Sequence, residues 1–376
     1  MRLKHHFQVS GVLLTVLVLC ALLYSPAQVS ALSTPVDHTR STTSVNANVY
    51  LTNALLQPLF QNDLNAQLPQ IMGKAIAGMV SKMPQQNQGW ATQMANALLQ
   101  PSAVLLSVVP QPNGLLAIIN LSLYPGDPQA TTTSIVIGLS VLDASTIQVT
   151  ALPAADGQPS LLNGPLTTFH MTIGALNTIA MTPNCGDSDL NINLKFPLSL
   201  GQQNTAVSGT KPAQRVALST SGLTQRHATS PKPTAYIELP ASSLAQLGSS
   251  IGTLAIGNNF TASNIRLGVQ GSNLTLTSDI SWYSFGFGTA VSTLAPGASN
   301  GNLVGRVQNT DLQLLHDLIN FPVNSYNQQI EQAVNAKLNG VLTGKFTVMQ
   351  ATIGSNASVP CASSTSLLLG GTISLN

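Results

Sequence analysis

The chain has 376 residues, of which only 7% are charged, against roughly 25% in an ordinary soluble protein. Fourteen basic and twelve acidic residues give a formal net charge of +2, and that excess consists of Arg2 and Lys4 in an N-terminal segment with a purpose of its own. The rest of the chain balances, so its net charge gives it no electrostatic reason to seek nucleic acid or an anionic membrane. Its polarity comes instead from Ser, Thr, Asn, Gln and Gly, and its length favours about two domains.

Arg2, Lys4, His5 and His6 form a basic head before the apolar run "VSGVLLTVLVLCALLY", and "SPAQVSA" follows with Val29 and Ala31 at the small-residue positions of a cleavage site. This pattern predicts a secretory signal over residues 1–31, cut after Ala31, and a secreted or extracytoplasmic cell-envelope protein. The alternative is an uncleaved N-terminal membrane anchor, although the apolar run is shorter than the ~20 residues a spanning helix needs. Leu19 precedes Cys20, where lipid-attachment signals carry a small residue. Residues 32–46 read as a polar leader.

From Tyr50 onward apolar residues recur at helical spacing, from Leu51 to Val80, with Pro58 and Pro69 expected to break or kink the run. A short helix around Trp90 to Leu99 follows. The period then drops to two in "AVLLSVV", "GLLAIINLSLY", "TTSIVIGLSVL", "STIQVTAL", "LTTFHMTIGAL" and "LNINLKF", which predicts an antiparallel meander. These elements make an N-terminal α+β half over residues 47–200. Residues 201–234 lack any apolar period and carry Lys211, Arg215, Arg226 and Lys232 in a Ser/Thr/Pro/Gln background, the composition of a disordered linker.

A C-terminal α+β half over residues 235–376 repeats the plan, and "VVPQPNGLLAII" beside "GVQGSNLTLT" hints at two pseudo-repeated halves. Here "AYIELP" reads as a strand, "ASSLAQLGSSIG" as a short helix and "FTASNIRLGVQGSNLTLTSDISW" as a hairpin turning at Gly271–Asn273. The segment Phe321–Leu342 is an amphipathic helix, with Asn324 or Ser325 to cap its start and Gly340 or Gly344 to end it. Tyr326, Ile330, Val334, Leu338 and Val341 form its apolar stripe. The available partner for that stripe is the inner face of a sheet bearing Leu267, Val269, Leu274, Leu276, Trp282, Phe285 and Phe287.

The order of "IELPASSLAQL", "IRLGVQGSNLTLTSDIS", "GNLVGRVQNTDLQLL", "INFPVNSYNQQIEQAVNAKLNGVL" and "FTVMQATIG…LLLGGTIS" from Ile237 to the C-terminus resembles the LmeA-like phospholipid-binding family, which is akin to the TULIP lipid-binding proteins. The resemblance implies a highly curved antiparallel sheet wrapped around long amphipathic helices, enclosing an apolar groove for the acyl chains of a phospholipid or other acyl lipid. It also implies transient membrane contact and no catalysis, metal or cofactor. On this reading Leu267, Val269, Leu274, Leu276, Trp282, Phe285, Phe287, Ile330, Val334 and Leu338 line the groove, and Gly268, Gly286, Gly288 and Gly305 let the strands bend. The competing expectation is an extracytoplasmic structural or adhesive module whose core is simply full.

Two cysteines lie beyond the signal, Cys185 in "TPNCGDS" and Cys361 in "VPCASS". An oxidising compartment permits a bridge between them, and two separate thiols are the other reading. Neither has a His or carboxylate at zinc-site spacing. A minor alternative is a serine hydrolase, because "GSSIG" fits the G-x-S-x-G elbow at Ser250 with Asp311 and His316 downstream. That motif needs a strand before the serine and a helix after it, whereas a helical pattern precedes it here. His170 sits in a strand without a partner at ligand spacing, and Asp187 with Asp189 reads as a turn.

Overall fold

The computed structural model describes residues 43–376, apart from 112–113, 153–163, 172, 183–184, 187–189, 199–231, 258–259, 284, 315–318, 323–326, 343–345 and 374–376. The signal, most of the leader and most of the linker lie outside the described residues, as do Asp187, Asp189, His316 and Tyr326.

Chain order explains the architecture. Strand β1 (Thr43–Leu51) buries Val45, Ala47, Val49 and Leu51 on alternate positions. Residues 43–46, expected in the polar leader, are therefore strand, because Val45 is needed in the core. Helices α1 (Asn53–Val80) and α2 (Gln85–Leu98) follow, then β2 (Ser102–Gln111), β3 (Gly114–Ser122), β4 (Thr131–Val141), β5 (Thr146–Leu152) and β6 (Gly164–His170), and then a hairpin of β7 (Ala175–Met181) and β8 (Leu190–Leu198).

The C-terminal half runs through β9 (Ala235–Leu239), α3 (Ala241–Ser250), β10 (Leu254–Gly257), β11 (Phe260–Gln270), β12 (Asn273–Trp282), β13 (Phe285–Ser299), β14 (Asn302–Leu314) and β15 (Ile319–Pro322). It closes with α4 (Asn327–Leu342), β16 (Phe346–Ile353) and β17 (Leu367–Ile373).

The fold is α+β with antiparallel strand pairing. Strands β2 to β6 form one sheet in chain order and β10 to β15 another. The third, in the order β16-β17-β9-β1-β8-β7, draws three strands from each half and sets β1 directly against β9. In each half the opening strand lies innermost, the closing strand next and the penultimate one at the edge. Residues 42–376 form one compact unit around this shared sheet.

Two helix expectations change. The long run is not broken at its prolines, since α1 continues through both Pro58 and Pro69. A mid-helix proline costs about 3 kcal/mol, and the burial of Leu56, Phe60, Leu68 and Ile76 along the same helix offsets it. The other helix starts later than Phe321, because Phe321 and Pro322 pair with Leu312 and Asp311 as the end of β15.

Sheet edges are covered by helix side chains rather than by more strands. Strand β14 has neighbours β13 and β15, but β15 reaches only its residues 311–314, so the rest of one side needs other partners. Helix α4 supplies them at four-residue intervals. Asn339 accepts from the Leu303 N–H (2.9 Å) and donates to the Leu303 carbonyl (2.8 Å). Asn335 does the same at Gly305 (2.7 and 3.4 Å), Glu331 accepts from the Val307 N–H (3.3 Å), and Asn327 accepts from the Thr310 hydroxyl (2.7 Å). One helix face thus acts as a surrogate strand, while Ile330, Val334 and Leu338 enter the core beside it.

The seam between the halves has an apolar side and a polar side. Ile237 and Leu239 of β9 and Val49 and Leu51 of β1 face the main core. On the other side Glu238, only 3% exposed, accepts from the Tyr50 hydroxyl (2.7 Å), the Asn48 amide (3.0 Å) and the Ser363 N–H (2.7 Å). Burial, followed by the Glu238 carboxylate, pushes the Tyr50 hydroxyl well above the ordinary tyrosine range. Cys185 and Cys361 are bridged beside this cluster, with Cα atoms 5.2 Å apart and a sequence separation of 176. Closing so long a loop removes chain entropy worth about 5 kcal/mol from the unfolded state.

Two stability changes follow. Asn335→Ala strips both partners from Gly305 and is expected to cost about 1–3 kcal/mol in urea unfolding, whereas alanine at the exposed Gln332 of the same helix changes stability little. Glu238→Ala orphans three donors and is expected to cost about 3 kcal/mol or more in the same measurement.

Candidate functional site

The predicted groove residues do not gather around open space. Leu267, Leu274, Leu276, Ile330, Val334 and Leu338 are all 5% exposed or less, and they pack into the continuous core with partly buried Val269 beside them. Trp282 and Phe285 lie away from them at the β12–β13 turn, 45% and 75% exposed. The Phe287 side chain lies outside the described residues. Among the described residues α4 is drawn close onto β14 by its amides: a Cβ at Gly305 would already lie 3.4 Å from the Asn335 oxygen.

Among the described residues, open space lies in the N-terminal half, between α1 and the β2–β6 sheet. A cleft of about 790 Å³ is bounded on the helix by Leu64, Leu68, Ile71 and Met72 and on the sheet by Ala103, Ile119, Ile135 and Leu166. It narrows into a pocket of about 40 Å³ reaching Phe60, Leu105, Ala117, Ile137 and Val149. The two share Leu64, Gln67, Ile71, Ile119, Ile135 and Leu166, so they adjoin one another under α1. Phe60 also stacks near Phe169 of β6, with ring centroids 5.9 Å apart. Lys74 and Met79 border the cleft, at the end of α1 remote from Phe60. The volume is within the range of small-molecule sites.

Helix α1 holds the cleft open by attaching to both free edges of its sheet. On β2, Gln61 donates to the Ala103 carbonyl (2.8 Å) and accepts from the Leu105 N–H (2.7 Å), and Gln57 donates to the Leu105 carbonyl (3.3 Å). On β6, Gln67 donates to the Leu166 carbonyl. A helix pinned at both edges spans the sheet, leaving the concave middle to the side chains between.

Asp63 lines the narrow pocket among aliphatic and aromatic side chains, and its Oδ2 is buried without a hydrogen-bond partner. Desolvation raises its carboxyl above the ordinary aspartate range. Sequence reading passed over this residue and the cleft. The signal was present: Asp63 falls on the same stripe as Phe60, Leu64 and Ile71, where an unpaired acid is out of place.

No family model matches the chain, and no curated protein matches it. Among solved structures it is similar to P47 of Clostridium botulinum E1, at 8% identity over 88% of this chain and all of that one, with a TM-score of 0.29. P47 from Clostridium botulinum A2 is similar at 6% identity over 87% of this chain and 97% of that one, with a TM-score of 0.30. Scores at that level do not establish a shared fold.

The hydrolase elbow is not formed at Ser250. That residue ends α3, is buried, and donates to the Leu247 carbonyl of its own helix at 2.7 Å. Gly248 is explained by packing, since a Cβ there would collide with the Leu267 backbone nitrogen on β11. Asp311 lies on β14 and accepts from the Asn309 amide. His170 pairs with the Thr146 hydroxyl across β5 and β6 (3.2 Å). Among the described residues no three His, Cys, Asp or Glu side chains cluster as metal ligands, and no helix is long and apolar enough to cross a membrane.

An acid raised on folding is stabilised in its neutral form. The contribution of Asp63 is complete below its unfolded value, ordinarily 3.8, and is lost as pH rises through the folded value. Asp63→Asn is therefore expected to melt at a higher temperature than the parent at neutral pH. Melting curves of the two proteins should converge as the pH is lowered below about 4; a gap that widens toward acid contradicts this account.

Proposed function

We propose that the chain is an exported, non-catalytic carrier of an acyl lipid, and that the lipid chain lies in the cleft beneath α1. The observation that carries this reading is the pair of adjoining, largely apolar spaces between α1 and the β2–β6 sheet, reaching Phe60 at one end and bordered by Lys74 at the other. Each methylene moved from water into such a lining contributes about 0.8 kcal/mol before ordering costs. About ten methylenes suffice for a stable complex, with a polar head left near solvent.

The C-terminal resemblance to LmeA-like phospholipid-binding proteins supports the same ligand class, and the basic N-terminal head with its apolar run supports export. The matching strand order of the two halves in the shared sheet supports a duplicated, TULIP-like plan. On this plan one copy is filled by α4 and the other keeps its space under α1. On this reading the lipid lies in the N-terminal half rather than against the C-terminal residues expected from the sequence.

The test is lipid extraction and mass spectrometry of the purified protein, with uptake of a fluorescent fatty-acyl probe. Bound acyl lipid, or saturable uptake, is expected. Leu64→Arg places a charge in the half-buried wall common to cleft and pocket, and it should weaken uptake at least about tenfold while the melting transition persists. An empty protein that takes up no probe, or a folded Leu64→Arg protein with full uptake, sinks the reading and favours the structural module with a filled core.

A further inference from the structure

The second helix has an apolar face that the fold does not use. Helix α2 meets the body through Ala91, Ala95 and Leu99, which pack on Ile76 and Val80 at the end of α1. A second stripe, Trp90, Met94 and Leu98, is left in solvent at four-residue spacing, with Trp90 66% and Leu98 62% exposed. Met79, part of the cleft wall, and Met83, in the turn between the two helices, are also exposed. Exposed large apolar side chains thus recur along the chain from the cleft residue Met79 to Leu98 at the end of α2.

Lysines lie near the run, and the acid placed nearest the cleft's outer end is Asp127, which accepts from the N–H of the cleft residue Leu123 (2.9 Å). From Leu64 to Gly126 the chain contains no acidic residue, and its only charges are Lys74 and Lys82, both exposed. Helix α2 itself is uncharged, and Lys82 stands in the turn that leads into it. Apolar side chains with a tryptophan, flanked by lysines on an uncharged helix, suit the boundary between acyl chains and anionic head groups. The other exposed aromatic group, Trp282, Tyr283 and Phe285, has Asp279 on the adjoining strand and lacks that complement.

We propose that α2 docks the protein on an anionic phospholipid surface, with Trp90, Met94 and Leu98 inserted among the lipids and Lys74 and Lys82 against the head groups. The docked helix brings the cleft to the source of its ligand. This deepens the carrier reading, but vesicle binding and probe uptake are separate measurements, so the failure of one is distinct from the failure of the other.

The chain has two tryptophans, Trp90 and Trp282. In Trp282→Phe the remaining emission reports α2, and in Trp90→Phe it reports the β12–β13 turn. Phosphatidylcholine vesicles with phosphatidylglycerol should shift Trp90 emission to the blue, and brominated acyl chains should quench it, while Trp282 emission stays unchanged. Met94→Ser combined with Leu98→Ser should lower vesicle partitioning about tenfold without changing the melting temperature or the uptake of a soluble acyl probe. Lys82→Gln should reduce the preference for anionic over neutral vesicles. The proposal is overturned by absence of co-flotation, by a shift at Trp282 instead of Trp90, or by full binding in the double variant. It is equally overturned if light scattering shows that the stripe is buried in a dimer that the double variant dissociates.

Discussion

A β-sheet cannot end inside a protein without leaving a row of backbone donors and acceptors, and this chain meets that constraint with amide side chains on helices. Asn335 and Asn339 each take both backbone groups of one residue on β14, and Gln61 bridges Ala103 and Leu105 on β2. An amide carries donor and acceptor together and is uncharged, so it can face a backbone edge at little desolvation cost. Scarcity of charge and abundance of Asn and Gln are then two aspects of one design. A few of its amides, Gln57, Gln61, Gln67, Asn335 and Asn339, thereby join the backbone hydrogen bonding of the sheets.

The same device produces opposite results in the two halves. Helix α4 bonds along a single edge, lies flush against β14, and its Ile330, Val334 and Leu338 fill the space behind. Helix α1 bonds to β2 through Gln57 and Gln61 and to β6 through Gln67, so it bridges the sheet from edge to edge. Side chains of Leu64 and Ile71 reach toward Ile119 and Ile135 without closing the gap, and a cleft remains. Asp63 adds a half-buried carboxyl whose Oδ2 is buried and unpaired, a destabilising feature of this wall.

What keeps the halves in register is the central sheet. Its β1–β9 pairing buries an aliphatic layer on one side and, on the other, the Glu238 carboxylate held by Tyr50, Asn48 and Ser363. The disulfide lies over that polar side and ties the loop before β8 to the loop before β17. These two closing hairpins flank the shared pair, so the covalent link and the buried acid fasten the same seam. Residues 42–376 consequently behave as one unit although each half has a sheet of its own.

Periodicity alone determined much of this. Alternation at β3, β4, β5, β11 and β12 located the strands because one face of each is buried, and the three- and four-residue spacing from Leu51 to Val80 located α1 despite its prolines. The spacing of Asn327, Glu331, Asn335 and Asn339 was equally visible, but a polar stripe reads as solvent-facing until the edge it covers is known. The cleft was not legible in this way, since Ile119 and Ile135 look alike in a packed wall and in an open one. Whether apolar surface is filled or left vacant depends on the distance between a helix and its sheet. Tertiary contacts set that distance, through one anchored edge for α4 and two for α1.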